Sequence, residues 1–68
     1  MKMLKCVVST GDRITLALAR RLGWPTNEVA PNVEIELPED WVARVVAETP
    51  MRADICLAVL RRGLAAAS

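Results

Sequence analysis

Asn32-Val33-Glu34-Ile35-Glu36-Leu37-Pro38-Glu39-Asp40-Trp41 is the stretch on which the fold turns. Val33, Ile35 and Leu37 alternate with Asn32, Glu34 and Glu36. A period of two carried by β-branched residues predicts a half-buried strand over 32–37. Pro38 ends the alternation and is expected to start a helix, with Glu39 and Asp40 in its first turn where the helix dipole favours acids. Val42, Val45 and Val46 then recur at i, i+3 and i+4 beside Trp41. Thr49-Pro50 closes that helix and opens the next, with Thr49 as N-cap and Pro50 at the first helical position. The last helix is expected to run to about Ala66. Its stretch Ile55-Cys56-Leu57-Ala58-Val59-Leu60 is apolar all round, which predicts burial on every side.

Toward the N-terminus, Met3 to Ser9 is short, β-branched at its end and bounded by Thr10-Gly11-Asp12, which reads as a strand. Asp12 or Thr10 can cap a helix to about Leu22, with Ile14, Leu18 and Leu22 on one face. Gly23 ends it and Pro25 prevents its resumption. Trp24 to Asn32, holding Pro25 and Pro31, is expected to be a loop or a single helical turn. The order is β-α-β-α-α, an α+β class, in a single domain over residues 1–68.

A chain of 68 residues that is 53% hydrophobic has more apolar surface than a small monomer readily hides. Cys6 and Cys56 cannot make a disulfide framework, and there is no histidine to join them at a metal. A partner subunit is therefore expected to complete the core. Both cysteines read as small buried hydrophobes, which fits a reducing cytoplasm. Met1 to Thr10 lacks a long apolar stretch with a small-residue cleavage site. Every apolar run is broken well before 18 residues, so a cytoplasmic protein with no membrane partner is expected.

Net charge is +1 but unevenly spread. Lys2, Lys5, Arg13, Arg20 and Arg21 make the first third basic. Glu28, Glu34, Glu36, Glu39, Asp40 and Glu48 make the middle acidic, and Arg52, Arg61 and Arg62 make the end basic again. A non-specific nucleic-acid binder is usually basic overall, and this chain is not. Glu34 and Glu36 have no histidine, lysine or ligand set beside them, so they read as solvated charge rather than an acid–base pair. Neither cysteine has a base to generate thiolate, and no glycine-rich phosphate loop is present. No catalytic residue, metal, cofactor or small-molecule substrate is expected.

From Val33 onward, Val33-Glu34-Ile35-Glu36-Leu37-Pro38-Glu39-Asp40-Trp41-Val42-Ala43-Arg44-Val45, then Arg52-Ala53-Asp54-Ile55 and Leu60-Arg61-Arg62-Gly63-Leu64, the chain resembles the ribbon-helix-helix family of dimeric repressors. The resemblance implies a core over 32–68, with 1–31 as a strand-helix extension. It implies a homodimer whose strands pair antiparallel, with Val33, Ile35, Leu37, Trp41, Val45 and Leu60 between the chains. It also implies double-stranded DNA as partner, read by the outward Asn32, Glu34 and Glu36. The backbone amides of Met51, Arg52 and Ala53 at the second-helix N-terminus, with Thr49 beside them, would hold a phosphate, helped by the Arg52 side chain. The glutamates depart from the family's pattern, because carboxylates on both subunits oppose phosphates. The apolar Leu57 suggests that the first 30 residues pack over the second helix.

Leu18-Ala19-Arg20-Arg21-Leu22-Gly23-Trp24 followed by Val29 looks like the core of a helix-turn-helix motif. Pro31, however, would stop its recognition helix after about one turn, which reaches few base edges. The plainer reading is a surface helix with a glycine C-cap. Arg20, Arg21 and Trp24 remain candidate contacts, Trp24 as an anchor or a staple across its loop. Two functions are thus expected. One is a DNA-binding transcriptional regulator of phage or mobile-element type. The other is a protein-binding inhibitor or adaptor of the same origin, of anti-defence type, turning the acidic ribbon and basic flanks on a host protein.

Overall fold

The computed structural model describes residues 2–68, in the order β1 (Met3–Ser9), α1 (Arg13–Leu22), β2 (Thr26–Val29), β3 (Asn32–Pro38), α2 (Trp41–Glu48) and α3 (Ala53–Ala67). The three strands form one antiparallel sheet in the order β1-β3-β2. The α+β class expected from the sequence is what the chain adopts.

The decisive strand sits in the middle. Along β3, Val33, Ile35 and Leu37 are buried, while Asn32 and Glu36 are exposed and Glu34 is half-buried. The period-two reading therefore holds residue by residue. Its hydrogen-bonding edges do not follow the expected ribbon. One edge pairs with β1, from Met3 opposite Pro38 to Ser9 opposite Asn32. The other pairs with β2, from Thr26 opposite Ile35 to Val29 opposite Asn32. Both sets of backbone groups are satisfied within the chain, so pairing Asn32–Leu37 with a second copy would first require removing a strand. Val33, Ile35, Leu37, Trp41, Val45 and Leu60, expected between two chains, instead form the core of one. The radius of gyration, 10.7 Å, matches the ~11 Å of a folded domain of this length.

β2 replaces the expected loop or helical turn over 24–32. Its Thr-Asn-Glu-Val sequence carries no apolar alternation, and all four residues are exposed. What makes it a strand is the open edge of β3 and the short turn at Ala30–Pro31, whose peptide bond is cis. Pairing extends to Pro25, whose carbonyl accepts from Glu36 N–H at 3.0 Å.

All three helices contribute to one core against a single face of the sheet, where Cys6, Val8, Val33, Ile35 and Leu37 meet Leu18, Trp41, Cys56 and Leu60. α1 begins as read: the Asp12 carboxylate accepts from Thr15 N–H at 3.2 Å. It ends at Gly23, whose φ of 74° is the left-handed conformation glycine adopts without strain. Leu18 is buried and Leu22 half-buried, but Ile14 stands 47% exposed.

The α2–α3 region differs in detail from the sequence reading. Pro38 is the last residue of β3, and α2 starts only at Trp41. Thr49 is the C-cap of α2, not the N-cap of α3. Its hydroxyl and its N–H both donate to the Val45 carbonyl, at 2.9 and 2.8 Å. Pro50 lies in the turn, and α3 starts at Ala53. Of the α2 valines only Val45 is buried.

α3 is not buried all round. Cys56, Leu60 and Gly63, spaced i, i+4 and i+7, make its one buried stripe, and Ile55 and Ala58 face outward. The stripe lies on β1, so the first residues of the chain do pack against the last helix, with Leu57 half-buried beside the core. Close approach is possible because Gly63 has no side chain. A Cβ there would lie 2.8 Å from the Val7 carbonyl oxygen and against Cys6 Sγ. Cys6 itself donates to the Leu60 carbonyl at 3.5 Å. Both cysteines are free and buried, as expected.

Candidate functional site

Residues singled out from the sequence fall on four separate parts of the molecule. Asn32, Glu34 and Glu36 project from the sheet face opposite the helices. Lys5, whose Cα pairs with that of Glu36, reaches diagonally to Glu34 at 3.9 Å. This is a solvated charge ladder on a half-covered sheet, as cross-strand pairs of opposite sign commonly form. Arg20 lines a small cleft with Thr10, Leu16, Thr26, Glu28 and Val33. Trp24 is no surface anchor: it is 7% exposed and part of the core, with its indole N–H buried and without a partner among the described residues.

Arg21, Thr49 and Arg52 do come together. They line a groove of about 510 Å³ between one flank of α1 and the corner joining α2 to α3, within the ~300–1,000 Å³ typical of binding pockets. The α1 flank supplies Arg13, Ile14, Ala17, Leu18 and Arg21. Residues four and eight apart lie on one side of a helix, so Arg13, Ala17 and Arg21 form a row about 12 Å long. The opposite wall is Glu48, Thr49, Pro50, Met51 and Arg52, with Cys56 behind. The Thr49 bonds that end α2, and the Arg52 N–H donated to the Thr49 carbonyl at 3.0 Å, set the corner. That corner leaves Met51 95% exposed.

The groove is apolar at its walls and positive at its rim. Arg21 pairs with Glu48 at 3.5 Å, an exposed contact. Among the described residues, neither Arg13 nor Arg52 has an ion-pair partner. The first turn of α3 has no side-chain cap and carries Asp54, whose charge offsets the positive end of the helix dipole. Arg13 carries only charge in the sequence reading, and Met51 enters it only through its backbone amide. The i, i+8 spacing of Arg13 and Arg21 was a legible signal. The exposure of the Met51 side chain was not legible, because it depends on where α2 stops.

The lining offers apolar contact and positive charge. Cys6 is pushed up to about 11 by burial, away from thiolate reactivity. No group of three or more His, Cys, Asp or Glu side chains is placed to hold a metal among the described residues. No helix among them is long and apolar enough to cross a membrane. The fold defines a small α+β domain with a three-stranded antiparallel sheet. No protein-family model, curated protein or solved structure matches the chain.

Proposed function

We propose that this chain is a non-enzymatic binding module whose ligand is another protein, and that the groove between α1 and the α2–α3 corner is its docking site. The observation that carries this reading is the groove itself. Met51 and Ile14 are left exposed at its walls, and two unpaired arginines stand at its rim. Large apolar side chains at a concave site, ringed by polar groups, are the usual anatomy of a recognition surface. Of the two functions expected from the sequence, this supports the inhibitor or adaptor. It moves the contact from the acidic strand to the basic groove.

The DNA-reading alternative loses its support in the sheet. The major groove admits an α-helix or a two-stranded ribbon, whereas β3 is flanked on both sides by strands of its own chain. Glu34 and Glu36 on its outer face repel phosphates.

Two measurements test the reading. A salt titration on random-sequence duplex is expected to show no binding by the wild type or by Glu34→Gln/Glu36→Gln. Binding that tightens in the double variant would reinstate the strand as a DNA reader. Random peptides displayed on phage and selected on the immobilised chain are expected to shift the amide signals of Ile14, Ala17 and Met51. They should lose affinity for Ile14→Asp/Met51→Asp, whose altered side chains are exposed and leave the core intact. Selected peptides that map to the open sheet face would refute the groove as the docking site.

A further inference from the structure

The groove is walled by the flank of α1 and the turn that joins α2 to α3, with no strand residue in its lining. An extended peptide is normally held by pairing its backbone with a free strand edge, and this site offers none. A helix satisfies its own backbone hydrogen bonds and so needs no such edge. The middle of the α1 row is Ala17, the smallest side chain there, which lets an incoming helix lie close along that flank. Charge then decides what the helix carries. The rim presents Arg13, Arg21 and Arg52 against Glu48, and the one carboxylate is already engaged by Arg21.

Resting on the docking role above, we propose that the occupant is an acidic amphipathic helix of a different protein. Apolar side chains one turn apart seat against Ile14, Ala17 and Met51. Carboxylates on either side of that stripe meet Arg13 and Arg52. A cationic or neutral helix of the same apolar pattern gains nothing from the two unpaired guanidinium groups. A second copy of this chain is disfavoured because its own α2 sets Arg44 against Asp40 at 3.0 Å and so offers a neutralised face.

The test starts from peptides selected on the full chain, as above. Winners should carry Asp or Glu flanking Leu, Ile, Met or Phe at i and i+4. Replacing their acidic residues by Gln should weaken binding about two- to thirty-fold, the product of two exposed ion pairs. Arg13→Gln/Arg52→Gln in the full chain should produce the same loss, with no further loss when the two changes are combined. A proline placed at the centre of the peptide should abolish binding, because it breaks the helix. Groove-bound winners that lack acidic residues, or that tolerate the proline, would overturn the acidic-helix inference while leaving the docking site in place. Winners that bind elsewhere would overturn both. Amide shifts at Arg13–Arg21 that grow with protein concentration, without peptide, would identify a second copy as the occupant and overturn the inference.

Discussion

Alanine at position 63 sets two effects of known size against each other. Gly63 lies well inside α3, where glycine costs about 1 kcal/mol relative to alanine. On local propensity alone, Gly63→Ala should raise stability by that amount. In this fold the new methyl group would stand 2.8 Å from the Val7 carbonyl oxygen and 3.3 Å from the Val7 nitrogen, and it would also meet Cys6 Sγ. Two of these three neighbours are backbone atoms of β1, which is fixed by its pairing with the central strand. Rotating a side chain cannot relieve them, so α3 must lift from the sheet.

Overpacking of this kind costs about 1–3 kcal/mol, and the backbone contact places Gly63→Ala toward the upper end. After subtracting the propensity gain, the expected net loss is about 2 kcal/mol. For a domain of this size that corresponds to a fall of roughly 8–16 °C in Tm. Thermal melts followed by circular dichroism at 222 nm give the answer directly. Adding Cys6→Ala should recover only part of the loss, since the Val7 carbonyl stays in place. A Tm for Gly63→Ala at or above that of the wild type would mean that α3 does not rest on β1 as described.

Three further expectations rest on the core. Ile35 is fully buried within the chain, so Ile35→Ala should cost about 2–5 kcal/mol. The melting temperature of wild type and variant alike should stay constant from about 5 to 500 μM, since a core completed by a second copy would make it rise with concentration. Such a rise in the wild type would restore the interchain core. The Cys6 thiol is held at about 11 in the fold against an ordinary 9.0. The unfolded chain therefore loses this proton first as pH rises. Its stabilising contribution is intact below about pH 9, falls between pH 9 and 11, and is lost beyond, by about 2–3 kcal/mol in all. Urea titrations of wild type and Cys6→Ala across that range should diverge in slope, and parallel curves would contradict the burial of the thiol.

The elements legible in the sequence were those whose signals are local. β1 was read with its observed bounds, and α1 with both its Asp12 cap and its Gly23 stop, because caps and periodicity act within a few residues. β2 was missed because Thr26 to Val29 is a strand only by virtue of the edge it lies against. Two prolines close by gave the stronger local cue, for a loop. Thr49 was assigned to the wrong helix because a hydroxyl beside a proline suits an N-cap, while here it bonds back to Val45. The all-round apolar run in α3 implied burial on every side, yet only Cys56, Leu60 and Gly63 are buried, with Leu57, Val59 and Leu64 half-buried beside them.

The site was legible only in fragments. Arg21, Thr49 and Arg52 each stand out in the sequence, but on separate grounds, and nothing local places residues 13–21 beside 48–52. Arg20 and Arg21 looked like one basic patch. Neighbouring positions on a helix are about 100° apart, and the two arginines face different clefts.

Strand order also has a consequence for synthesis. The strand that joins the sheet is the last of the three to be made, and the helix that covers β1 comes later still. At about 5–20 residues per second, some 1.5–6 s separate the translation of Ser9 from that of Pro38. Throughout that interval Leu4, Cys6 and Val8 have neither a neighbouring strand nor a covering helix. The hairpin of β2 and β3, by contrast, can close as soon as it leaves the ribosome. On the nascent chain the segment most in need of protection is therefore Met3–Ser9, and its accessibility to proteases should fall sharply once arrest comes late enough for Pro38 to have left the ribosome.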